Sequence, residues 1–182
     1  MAQPSDLAVV RAKLPTDKTP EQRVMRRDLF RAFDPNGNGY LSLAEVDRGL
    51  LEEFSLHELF DAKPVIIRAF NAAKAVNDQR NGPGSRGPDY VERVEFRFLL
   101  VYLERYLELW EMFRGVDSSG DGRITPEEFR GAISLLEGWG IPIIDADATF
   151  KEMDSDEGGM VLFEEFSSWV IEKALALVEN NE

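Results

Sequence analysis

Apolar residues recur along this chain at helical spacing, in stretches separated by short polar segments rich in Gly, Asn and Asp. The first stretch opens at Thr19. Its hydroxyl suits a helix cap, Pro20 suits the first helical position, and Glu21 and Gln22 follow. Val24, Leu29, Phe30 and Phe33 form the apolar face, which ends at Asp34. A second helical stretch carries Val46, Leu50 and Leu51, and a third runs over 64–76 with Pro64 at its start. From about Glu92 to Val116, Phe96, Leu99, Leu100, Leu103, Leu107, Trp110 and Phe113 repeat at helical spacing, with no Gly or Pro before Gly115. A continuous helix is predicted there, joining the two halves of the chain with little slack. Further helices are predicted over 125–139, 145–153 and 163–178, with a turn at Gly140-Ile141-Pro142. Residues 1–19 are polar and hold Pro4 and Pro15, the pattern of a flexible arm, and residues 77–89 (NDQRNGPGSRGPD) have the composition of a loop.

Two of the polar breaks share one design. Residues 34–45 read DPNGNGYLSLAE and residues 117–128 read DSSGDGRITPEE. Each has oxygen-bearing side chains at positions 1, 3, 5 and 9, Gly at 6, an apolar residue at 8 and Glu at 12. A hard cation such as Ca2+ takes roughly six to eight oxygens in a flexible shell, and a loop of this composition supplies them; the pattern is that of the EF-hand. Gly at position 6 permits the sharp turn. Helix–loop–helix units centre on residues 40, 90, 123 and 160, so the four units make two pairs. Paired loops bond through a short strand at position 8, which sets Leu41 opposite Val91 and Ile124 opposite Val161. The expected fold class is all-α: four helix–loop–helix units in two paired lobes joined by a long helix, with short β-bridges between paired loops. The flexible arm takes 1–19, the N-terminal pair 20–102 and the C-terminal pair 103–182.

The third unit has the richest ligand set. Asp117, Ser119, Asp121, Thr125 and Glu128 offer side-chain oxygens, Arg123 a backbone carbonyl, and three of these groups are carboxylates. The first unit is complete but less charged. Asp34, Asn36, Asn38, Ser42 and Glu45, with the carbonyl of Tyr40, include two carboxylates and two amides, a weaker set for Ca2+. The fourth keeps Asp154, Asp156, Gly159, Glu165 and the carbonyl of Met160, but Gly158 and Leu162 stand at positions 5 and 9 and leave two ligands to water. In the second unit, Val91 at position 8 and Glu95 at position 12 put Gly84, Arg86 and Pro88 where ligands belong. It is expected to pair with the first loop without holding an ion.

Charge sharpens this picture. The chain holds 34 acidic and 21 basic residues, for a net charge of −13. Residues 1–100 hold 15 of each sign, whereas residues 101–182 hold 6 basic and 19 acidic residues and carry the whole excess. An acidic half repels phosphates, so no nucleic-acid partner is expected, and it suits cations. With no Cys, disulfides, Cys-ligated zinc and thiol catalysis are excluded, and a single His, His57, excludes a multi-His metal site. No apolar run has the roughly 18 residues of a membrane span. The start MAQPSDL has neither the apolar core of a signal peptide nor a Gly at position 2. A soluble intracellular protein is expected.

Beyond the loops, the chain resembles one family from about Thr19 to Trp169. RRDLFRAFD, the long spacer of the second unit, YVERVEFRFLLVYLERYLEL, the LLEGWG turn, and FKEMDSDEGG followed by FEEFSSWV carry a resemblance to the flagellar calcium-binding proteins of trypanosomatids, the calflagins. The resemblance implies a two-lobed calcium sensor of the flagellum with four EF-hands and a lost second loop. It also implies an N-terminal Gly and Cys for dual acylation, absent here, so no lipid anchor is carried over. Protein partners associated with the axoneme or with tubulin are expected instead. The family's fourth loop binds Ca2+, and Gly158 and Leu162 depart from it.

Three features stand outside the loops. Arg23, Arg26, Arg27 and Arg31 share one side of the first helix; they read as a solvated face, with a dock for acidic partners as the alternative. Trp110, Trp139 and Trp169 are expected in the cores, and His57 at the surface or its boundary. Few Met residues argue against a promiscuous Met-rich groove. The acids sit in ion-wrapping loops with no substrate position, nucleophile motif or phosphate loop, so an enzyme is not expected. The leading expectation is a Ca2+-responsive protein that binds partners. The alternative is a structural protein whose lobes are rigid adaptors independent of Ca2+.

Overall fold

The computed structural model describes residues 6–54, 62–78 and 89–179. His57 and the second-unit residues Gly84, Arg86 and Pro88 lie outside the described residues. Contacts divide the chain into two compact units, Met1–Glu108 and Leu109–Glu182. The division falls inside a helix, six residues beyond the boundary expected at 102. No helix among the described residues is long and apolar enough to cross a membrane.

In the first unit, α1 (Asp6–Lys13) occupies the segment expected as a flexible arm. Val10 and Leu14 are buried one helical turn apart, which gives this segment a face to pack. Helix α2 (Pro20–Phe33) starts at its predicted cap, where the Thr19 hydroxyl accepts the Gln22 N–H at 3.3 Å. There follow β1 (Tyr40–Leu41), α3 (Leu43–Phe54), α4 (Lys63–Asp78), β2 (Val91–Glu92) and α5 (Phe96–Val116). Strands β1 and β2 pair antiparallel with Leu41 opposite Val91, as the repeat predicts. Phe30 and Phe33 of α2 meet Phe96 of α5 edge to face, with centroids 5.2 and 5.6 Å apart. Gly49 of α3 lies against Phe33. A Cβ at position 49 would fall 2.4 Å from that ring, so α2 and α3 approach this closely only because residue 49 has no side chain. Val24 and Leu51, expected on apolar faces, are about half exposed.

Helix α5 begins in the first unit and ends in the second. The second unit continues with β3 (Arg123–Ile124), α6 (Pro126–Gly131), α7 (Ile133–Gly138), α8 (Ala146–Met153), β4 (Val161–Leu162) and α9 (Phe163–Glu179). Ile124 stands opposite Val161 in the antiparallel pair β3–β4. The single helix predicted over 125–139 is broken at Ala132. Its N–H is shared between the carbonyls of Glu128 and Phe129, at 3.0 and 3.1 Å, and Gly131 weakens the helix just before it. The chain then turns through paired bonds, from Gly140 N–H to Glu137 at 2.9 Å and from Ile141 N–H to Leu136 at 3.1 Å. Phe113 is the hub of this core, 5.4 to 5.7 Å from the rings of Trp110, Phe166 and Phe163. Trp110 and Trp169 are buried as expected. Trp139 is not. It is 37% exposed because it sits at the end of α7, with its ring lying along Gly115.

Candidate metal centres

Three loops are each tied into one shape by their first and last ligands. At position 1, Asp34, Asp117 and Asp154 accept the N–H of the position-6 glycines Gly39, Gly122 and Gly159, at 2.9, 2.9 and 3.0 Å. These glycines have φ of +85°, +81° and +78°, a region strained for any residue with a Cβ. At position 12, one carboxylate oxygen of Glu45, Glu128 and Glu165 accepts the N–H of Ser42, Thr125 and Leu162, each at 2.9 Å. Ser42 and Thr125 return the bond, their hydroxyls accepting the glutamate N–H at 3.3 and 3.2 Å in reciprocal capping. The hydroxyl at position 9 therefore caps the exiting helix as well as offering an oxygen. Leu162 cannot return the bond, yet the Glu165 half of it is kept.

The second oxygen of each position-12 glutamate reaches back across its loop. It accepts from the Asn36 amide in the first loop, from the Ser119 N–H at 2.9 Å in the third, and from the Ser155 N–H at 3.0 Å in the fourth. Position 5 ties the middle: Asn38 accepts from Tyr40 N–H and Asp121 from Arg123 N–H, both at 3.0 Å. The position-7 side chains meet across the strand pairs. Tyr40 faces Tyr90 at 4.7 Å between centroids, and Arg123 Nη1 lies 3.8 Å from Met160 Sδ. The Glu128 carboxyl is held down at about 2, first by the Thr125 N–H, with that of Ser119 adding to it against the opposing effect of burial. It is an anion throughout the neutral range.

The donor sets of the three loops are all oxygen, which suits Ca2+. Oxygens bound to one Ca2+ at about 2.3 to 2.6 Å lie no more than about 5 Å apart. Asp154, Asp156 and Glu165 meet that limit, each presenting an oxygen within 4.8 Å of the others. Among the described residues, this is the group of three acidic side chains that does so, although ligand counting placed the third loop first. Gly158 explains it. A Cβ there would lie 2.7 Å from Asp156 Oδ1, which instead accepts the Gly158 N–H at 2.8 Å. In both loops the first acid also accepts from loop donors, Asp117 Oδ1 from Ser119 Oγ at 3.1 Å and Gly120 N–H at 2.8 Å, and Asp154 Oδ1 from Gly158 N–H at 2.9 Å.

The second unit keeps one part of this design that ligand counting passed over. Glu95 is 5% exposed and accepts the Glu92 N–H at 2.7 Å, the same bond from position 9 to position 12.

A family model of the FCaBP EF-hand domain matches residues 10–103, and one of the EF-hand domain pair matches residues 107–171. A flagellar calcium-binding protein of Trypanosoma cruzi is 38% identical over 161 residues, covering 88% of this chain and 75% of that protein. Flagellar calcium-binding protein TB-24 of Trypanosoma brucei brucei is 38% identical over 167 residues, covering 91% and 76%. Troponin C isoform 1 of Drosophila melanogaster is 32% identical over 158 residues, covering 81% and 91%.

Proposed function

This chain is a calcium-binding EF-hand protein that belongs to the flagellar calcium-binding protein family, and from that premise we propose that it is a Ca2+ sensor or adaptor of the flagellum that binds protein partners. The observation that carries the sensor reading is the bonding of the position-12 glutamates. In each of the three loops one oxygen caps the exiting helix and the other is held by the front of the loop. Ca2+ coordinated by both oxygens competes with the front contact and pulls on α3, α6 or α9. A shift of the exiting helix is how sensor EF-hands expose apolar surface. We read the chain as a binding protein rather than an enzyme. Its partners in this reading are proteins of the axoneme or associated with tubulin.

Calorimetry with Ca2+ tests the metal step, and tryptophan emission tests the switch. Binding at roughly micromolar Ca2+ with a change in emission is expected; no binding below millimolar Ca2+ sinks the reading. Recovery of partners from flagella in Ca2+ but not in EGTA tests the partner step. A second reading, a rigid adaptor indifferent to Ca2+, is favoured by Glu95. The second unit keeps its cap and its Leu41–Val91 pairing without an ion-binding sequence. That reading predicts identical amide shifts for the first unit in Ca2+ and in EGTA.

A further inference from the structure

We infer that the cleft between α2 and the start of α5 binds an acidic peptide segment carrying an apolar side chain among its carboxylates. Arg23, Arg26, Arg27, Arg93 and Arg97 rim a cavity of about 360 Å3 whose floor is made by Phe30 and Phe96. The helical spacing of the α2 arginines shows three of these five. The fold adds Arg93 and Arg97 from far along the chain, in a protein whose net charge is −13.

Arg26 and Arg97 are held by backbone groups rather than by carboxylates. Arg26 donates to the backbone carbonyls of Pro15, at 2.8 Å, and Asp17, and Arg97 donates to that of Thr16 at 2.8 Å. These acceptors are uncharged. Arg27 pairs with Asp28 at 3.0 Å, at the rim. Arg93 lies over the Phe30 ring, 5.2 Å from its centroid. Among the described residues, neither Arg23 nor Arg93 has a carboxylate partner within salt-bridge distance. Burial first, then Arg97 and Arg23, push the Arg26 guanidinium below its ordinary value, against the opposing pull of Asp17. Like charges gathered this closely favour an incoming anion.

The lining selects the class of anion. Guanidinium forks match carboxylates two bonds at a time. The half-exposed Val24, on the wall of the cleft above the buried rings, offers an apolar side chain a surface to cover. A free phosphate would leave Val24 uncovered. No Ca2+-loop ligand lines the cleft, so this inference and the sensor reading stand or fall separately.

The test is fluorescence anisotropy of the full chain in EGTA with a labelled Glu-Glu-Phe-Glu-Glu peptide. Saturable binding is expected, weakened at least about tenfold by the double change Arg23→Glu with Arg93→Glu, since reversed charges repel the ligand. Arg48→Glu, on α3 and away from the cleft, is expected to bind as the parent does. If circular dichroism shows that the double change disturbs the lobe, Arg23→Gln alone replaces it, with a smaller loss expected. The inference is overturned if the variants bind the peptide as tightly as the parent, or if a Lys-Lys-Phe-Lys-Lys peptide binds equally well. It is also overturned if phosphatidylserine vesicles or inorganic phosphate engage Arg23 and Arg93 while the acidic peptide does not bind.

Discussion

Glutamate at position 12 has two roles in this chain, and substitution separates them. In Glu128 the carboxylate caps α6, and in the proposed site it would supply two oxygens to Ca2+. Glu128→Gln removes the charge and keeps the shape. It is expected to weaken Ca2+ at the third loop by roughly one to two orders of magnitude, read by calorimetry. Glu165→Gln is expected to remove a Ca2+ site from the fourth loop, where the three acids converge; an unchanged stoichiometry would count against that site. Glu95→Ala isolates the capping role. It is expected to cost about 1 kcal/mol in denaturant unfolding, as lost helix caps do, and to leave Ca2+ stoichiometry unaltered. Ligand identity at these positions is legible from the sequence because each loop is local. The gathering of Asp154, Asp156 and Glu165 is a matter of coordinates that a ligand count does not contain.

At the scale of elements, the clearest constraint is the approach of α2 to α3. Gly49→Ala sets a methyl 2.4 Å from the buried Phe33 ring and is expected to destabilise the protein by about 1 to 3 kcal/mol. Gly131→Ala is the contrast. Nothing lies within 4 Å of its added methyl, and the change is expected to be neutral or stabilising by up to about 1 kcal/mol. Thermal unfolding of the two variants side by side decides the point. Helix starts at Thr19 and Thr125 and both strand registers were legible, because caps and position-8 pairs follow from residues a few places apart. The break at Ala132 was not, because Leu135, Leu136 and Trp139 continue the apolar pattern across it. Helix α1 was hidden by the prolines and polar residues around it; it becomes a helix worth forming only with a partner surface for Val10 and Leu14.

Over the whole molecule, the charge excess falls on the half that holds the third and fourth loops. Residues 101–182 carry 19 acidic against 6 basic residues, and their mutual repulsion is relieved by bound cations. A single Ca2+ site at a hundredfold excess over Kd adds about 2.7 kcal/mol to stability. Scanning calorimetry is expected to show a transition that rises with Ca2+ and falls in EGTA. In EGTA, added NaCl is expected to raise the same transition, because salt screens the acidic excess. A transition indifferent to both would remove metal binding from the acidic half.

The sequence by itself determined the loops, the caps that start the helices at Thr19 and Thr125 and the pairing of units, because each depends on hydrogen bonds and turn geometry spanning a few residues. Tertiary structure alone decided which buried faces α1 and α2 present, that Trp139 ends at the rim of its lobe, and that Arg23, Arg26 and Arg27 meet Arg93 and Arg97 around two phenylalanine rings. Those outcomes depend on packing between residues distant in the chain, where burial and close approach, rather than local pattern, set the position of each side chain.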